Sequence, residues 1–128
     1  MNKLIIDVVG EKIFLMIITS SNIYNITYEN TKINYEKITK LINDFLISYN
    51  LTISDISTIY VNKGPGSFAG IRNSLSTVKA FNVAKKIDYY CYSLDDFKGE
   101  IHVRHENIPD LCKKYNIKKN LINPVYIS

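Results

Sequence analysis

The sequence predicts an α/β domain in which one mixed sheet, in the order βββαβαβ, carries its helices packed against it. Three observations lead there. The first thirty residues form short apolar or alternating runs cut by turn residues. Two later stretches place apolar residues at helical spacing, and each is followed by a short, β-branched or aromatic segment. A length of 128 residues suits one core rather than two.

Taken in order, Lys3 to Val9 is an apolar run, and Gly10-Glu11 supplies a tight turn. Lys12 to Thr19 is a second run, ended by Ser20-Ser21-Asn22. Ile23 to Glu29 alternates, with Tyr24, Ile26 and Tyr28 on the opposite face from Ile23, Asn25 and Thr27. Alternation with short turns predicts antiparallel pairing with one better-buried face. From Ile33 to Tyr49 the period becomes helical, through Ile38, Leu41, Ile42, Phe45 and Leu46. Asn50 can end that helix and Ser54 can cap a short turn after it. Thr58 to Asn62 is a buried strand, and a glycine-rich loop leads into a second helical stripe at Ile71, Leu75, Val78 and Phe81. Asp88 to Ser93 is the fifth strand. Right-handed crossovers lay the two later strands parallel to the first.

Residues 1–98 complete this lobe. Residues 99–128 are too short for a core of their own. In them Ile101 to Val103 suggests a short strand and Ile108 to Tyr115 a short helix. Pro124 to Ile127 suggests an edge strand, since proline cannot donate to a central ladder.

Composition narrows the function. The longest uninterrupted apolar run, Ile13 to Ile18, is six residues, far short of the roughly 20 that a membrane helix needs. Asp7 comes too early for a secretory signal. The chain reads as soluble and cytoplasmic. Its formal charge is +4, from 16 basic and 12 acidic residues. The basic residues are nearly all lysine and are dispersed, and Ile, Asn, Lys and Tyr share A/T-rich codons. Autonomous nucleic-acid binding favours clustered arginine instead. Cys91 and Cys112 have no CxxC spacing and read as free thiols. His102, His105 and Glu106 are the only material for a metal site, and no spacing fixes a third ligand. Asp95-Asp96 reads as a turn cap before Phe97. The sequence supports no catalytic constellation, metal or cofactor.

The loop Gly64-Pro65-Gly66-Ser67-Phe68-Ala69-Gly70 is the most specific feature. A helix N-terminus beyond such a loop can hold an anion. It lacks the Gly-Lys-Ser/Thr ending of a P-loop, because Ile71-Arg72 follow Gly70, and it misses the dinucleotide spacing by one residue. Ser67 is not in a nucleophile elbow, since Pro65 stands where its first glycine belongs. A loop shaped for tight strand–helix packing or for a protein partner is the preferred reading.

Lys63 to Arg72 resembles the GPGSFTGxR signature of the TsaB (YeaZ) family, with Ala69 in place of threonine. Val78-Lys79-Ala80, Ser93-Leu94-Asp95 and Pro124-Val125-Tyr126-Ile127 are similar to the family's pattern. The resemblance implies an actin/Hsp70-like (ASKHA, RNase H-like) first lobe. It makes Gly64, Pro65, Gly66, Ser67, Phe68, Gly70 and Arg72 the signature loop. It also implies partner-binding helices, with Ile38, Leu41, Ile42, Phe45, Leu75, Val78 and Phe81 as the candidate interface. The implied partner is a TsaD-like transferase, with a TsaE-like ATPase as a further subunit and tRNA met only through the complex. Alone, the chain would form a homodimer, away from any membrane. Such a chain scaffolds threonylcarbamoyl transfer to the adenosine next to the anticodon and is not itself the transferase. Family members are nearly twice as long, so residues 99–128 would be a remnant of the second lobe and a tail. Their Asp-Thr-Ala is here Asp7-Val8-Val9, and Asn34-Tyr35-Glu36 replaces a customary histidine, leaving Asp7 in a degenerate nucleotide cleft. The alternatives are a homodimeric lobe of unrelated role and a glycoprotease-like hydrolase.

Overall fold

The computed structural model describes residues 1–124 and the backbone of residues 126–127. Strands β1 (Asn2–Asp7), β2 (Lys12–Ile18) and β3 (Ile23–Glu29) form the expected meander. Helices α1 (Lys32–Glu36) and α2 (Ile38–Ser48) lead to β4 (Ile56–Asn62). After the loop come β5 (Gly66–Ser67), α3 (Phe68–Lys85), β6 (Asp88–Tyr92), α4 (Ile108–Lys114) and β7 (Tyr126–Ile127). The main sheet runs β3-β2-β1-β4-β6. β2 is antiparallel to both β1 and β3, while β4 is parallel to β1 and β6 is parallel to β4.

β1 is central because it can be buried on both faces: Leu4, Ile5 and Ile6 are fully enclosed. Leu4 and Ile6 join Ile42, Phe45, Val61, Ile71 and Val78 in the larger core beneath α1 to α3. Ile5 belongs to a second cluster with Met16, Tyr60, Tyr92, Phe97, Ile108 and Leu111. The molecule is therefore three-layered. Residues 99–117, too short for a core of their own, help to cover the second face of the sheet through α4. Without them Tyr60 and Tyr92 would be exposed, which is the physical reason the segment docks.

Four further details correct the sequence expectations. The single helix from Ile33 to Tyr49 is two helices, broken at Lys37 (φ −112°, ψ 26°). Thr52, rather than Ser54, caps the turn ahead of β4: its amide donates to the Asp55 carboxylate at 2.8 Å. The β1–β2 connection spans four residues, 8–11. Residues 101–103 are not a strand, since they pair with no neighbour. Asn50 does end α2, in the left-handed conformation at φ 60°. The suggested terminal strand lies partly at Val125 and Ser128, outside the described residues; its Tyr126–Ile127 part pairs parallel with β5. No helix among the described residues is long and apolar enough to cross a membrane.

Candidate functional site

The signature loop is built by close packing. Gly64 adopts φ 115°, which side-chain-bearing residues rarely tolerate. A Cβ on Gly66 would stand 3.1 Å from Ile71 Cδ1, and one on Gly70 would stand 2.7 Å from Tyr35 Cε1. The backbone of Gly70 thus lies directly on the Tyr35 ring. Ser67 caps α3 by accepting from the Gly70 amide at 3.4 Å, with its hydroxyl 3.4 Å from that of Tyr35. Asn62 accepts from the Gly64 amide at 3.0 Å, fixing the start of the loop. Pro65, Ser67, Phe68 and Arg72 remain exposed, the Arg72 guanidinium lying 5.7 Å from the centre of the Phe68 ring. Loop and helix form one rigid shape whose outer rim faces solvent.

Beside the loop, the C-terminal ends of β1, β4 and β6 bring Asp7, Asn62 and Ser93 to the same edge of the sheet. Together with Val9, Gly64 and Pro65, Asn62 and Ser93 border a cavity of 220 Å³. One Asp7 oxygen accepts from the Val9 amide at 3.0 Å, and the other meets His105 Nε2 at 2.9 Å. The imidazole stacks on Phe14 with ring centres 3.9 Å apart. Burial by itself would raise the Asp7 carboxyl. The His105 hydrogen bond, the Val9 amide, the charge of His105 and Asn62 together outweigh it and hold the group below its ordinary value. The Tyr92 hydroxyl is enclosed without a hydrogen-bond partner among the described residues, and burial, aided by Asp7, keeps it protonated.

No local pattern discloses the Asp7–His105 pair, because the two residues are 98 positions apart. Sequence spacing groups His105 only with His102 and Glu106, as material for a metal site. In the structure Glu106 lies 3.6 Å from Arg104, and His102 is exposed. Among the described residues no three His, Cys, Asp or Glu side chains are grouped so as to hold a metal ion. Asp95-Asp96 is the expected cap: the Ser93 amide donates to the Asp96 carboxylate at 2.9 Å.

The candidate interface residues require a correction. Ile38, Ile42, Phe45, Leu75 and Val78 are buried in the core that the helices share with the chain's own sheet, Leu41 is buried as well, and Phe81 is half-buried. Their stripe is the inner side of the helices. The outer side of the same elements presents Ile33, Phe68 and Val83, each more than half exposed, together with Arg72, Ser76, Lys79 and Ala80.

Sheet order, crossovers and helical layer define an RNase H-like lobe of the actin-like (ASKHA) class. YeaZ from Pseudomonas aeruginosa superposes with a TM-score of 0.67 at 17% identity, over 76% of this chain and 46% of that one. RuvC from T. thermophilus, solved with a Holliday junction substrate, superposes with a TM-score of 0.53 at 12% identity, over 77% of this chain and 68% of that one. These likenesses show the fold. Residues 29–112 match the family TsaD, tRNA N6-adenosine threonylcarbamoyltransferase. The tRNA threonylcarbamoyladenosine biosynthesis protein TsaB of Buchnera aphidicola subsp. Schizaphis graminum is 29% identical over 68 residues, 53% of this chain and 32% of that protein. The chain belongs to the TsaD family; the curated relative it matches is a TsaB, and its loop resembles the TsaB (YeaZ) signature. It spans about a third of the length of the curated relative it matches.

Proposed function

We propose that this chain is a non-catalytic scaffold and dimerisation subunit supporting threonylcarbamoyl transfer to the adenosine next to the anticodon in tRNA. Its direct partner is a TsaD-like transferase subunit, with a TsaE-like ATPase joining the assembly. The chain meets tRNA only through that complex, works in the cytoplasm, and pairs with itself when the transferase is absent. The observation that carries this reading is the loop–helix unit. Gly70 and Ser67 meet Tyr35, Gly66 packs on Ile71, and the outward side of α3 beyond the loop presents Ala80 and Val83 to solvent. A rigid element with an uncovered apolar side suits docking. Asp7 is engaged by His105 and is not presented to a ligand, which favours a binding role over nucleotide chemistry at this edge.

Co-expression with the transferase subunit of the same genome, followed by light scattering after size exclusion, tests the reading. A heteromer that dissociates in Val83→Glu, while the isolated variant keeps its fold, supports it. A monomer or homodimer that ignores the transferase overturns it.

A further inference from the structure

On the sheet face opposite α1 to α3, the covering layer leaves a cavity of 480 Å³ between the strands and α4 with the residues just after it. Lys3, Tyr60 and Tyr90 line it from the sheet, and Asp110, Lys113 and Asn116 from the α4 side. Its volume lies within the range of small-molecule sites. Tyr60 and Tyr90 are cross-strand partners of β4 and β6, with rings stacked at 5.3 Å and nearly parallel at 11°. Tyr60 is only 6% exposed, yet among the described residues its hydroxyl makes no hydrogen bond, and it is not among the enclosed orphan atoms, so it opens on this cavity. Burial, with Cys112, Tyr90 and Asp110 nearby, pushes that hydroxyl up to about 12, so it stays a donor.

Charge supplies the second half of the inference. Neighbouring basic residues are matched, Lys114 with Glu100 at 2.8 Å and Lys119 with Asp88 at 3.5 Å. Lys3 and Lys113 have no acidic partner within ion-pair distance among the described residues. They stand on opposite walls, and Asp110 is the one carboxylate on the lining, so the cavity carries net positive charge. Two lysines without an acidic partner and a buried, unpartnered hydroxyl donor thus line one cavity, of whose wall a pair of tyrosine rings forms part.

We propose that this cavity binds a small organic anion bearing a flat ring, of about the size of a mononucleotide. The anionic group is held by Lys3, Lys113 and the Tyr60 hydroxyl, and the ring lies against the tyrosine wall. The site is on the sheet face away from the helices proposed to dock the transferase, so it stands or falls independently of that proposal.

Titration calorimetry and amide NMR of the full chain with 5′-AMP, ribose 5-phosphate and inorganic phosphate test this. AMP should shift the amides of Tyr60, Tyr90, Lys113 and Asn116, with ribose 5-phosphate weaker by about tenfold for want of the ring. Tyr60→Phe, which keeps the ring, should weaken AMP about tenfold, and Lys113→Glu more, with unchanged circular dichroism. No shift at these residues with about 10 mM of any probe, or equal affinity in Lys113→Glu, would overturn the proposal. Equal affinity for AMP and ribose 5-phosphate would overturn it too, because the tyrosine wall would then hold no ring.

Discussion

His105 reaches from the layer beneath the sheet to the last residue of β1 and meets the Asp7 carboxylate at 2.9 Å, with its ring on Phe14. The contact ties the segment before α4 to the central strand and occupies the acid at the strand's end. Removing it with His105→Ala leaves a largely buried carboxylate with the Val9 amide and Asn62. The loss of stability should be about 1–3 kcal/mol. The Asp7 carboxyl should titrate at higher pH, because burial is then less opposed. Carbon NMR of the carboxyl group and urea unfolding read these two effects separately.

The same pair gives stability a defined pH dependence. The folded carboxyl lies below its ordinary value, so the unfolded state binds protons more readily than the folded one. The contribution of Asp7 is therefore complete above that value and disappears as pH falls through the folded value. Urea midpoints measured from about pH 6 down to about 2.5 should fall more steeply for the wild type than for Asp7→Asn. Equal slopes would show that the pair does not drive the acid response.

Gly70 touches Tyr35 so closely that even a methyl group must displace the ring. Gly70→Ala should cost about 1–3 kcal/mol by overpacking. Gly64→Ala should also destabilise, for a different reason, since φ 115° strains any side chain. A double-mutant cycle separates the causes: Tyr35→Leu should soften the penalty at Gly70 and leave that at Gly64 unchanged.

That contact also explains which parts of the fold the sequence disclosed. The meander was legible because Tyr24, Ile26 and Tyr28 alternate with polar neighbours, and Asn50 because few side chains tolerate its turn. The break at Lys37 was hidden: the apolar stripe stays in phase from Tyr35 through Ile38 to Phe45. Tyr35 meets Gly70 on an element far along the chain, a tertiary contact that local spacing does not encode. The Asp7–His105 pair was hidden for the same reason. The loop signature was legible because each glycine has its own steric cause, two of them set by Tyr35 and Ile71. An amphipathic stripe tells which side of a helix is covered but not by what, so Ile42 and Val78 passed for a partner surface when their cover is the chain's own sheet.

The two thiols should be inert in the folded protein. Burial pushes both Cys91 and Cys112 up to about 12, and their side chains are enclosed. The thiolate fraction near pH 8 is then on the order of one in ten thousand. Ellman's reagent should react with neither cysteine over minutes in the native state and with both in urea. Rapid native labelling of Cys112 would mean that α4 opens from the sheet faster than the core exchanges.

The two sides of α3 should separate folding from association. Val78 is fully buried among the sheet residues of the larger core, and a carboxylate there has no partner. Val78→Glu should cost several kcal/mol and abolish the native near-ultraviolet signal. Val83 lies on the same helix but is 70% exposed. Val83→Glu should shift the melting temperature by no more than about 2–4 °C, since a surface change away from special features is worth within about 0.5 kcal/mol. If the outward side docks a partner, this second variant loses the complex while melting like the wild type. Loss of the complex in Val78→Glu alone would report only unfolding, so the interface rests on the contrast between the two positions.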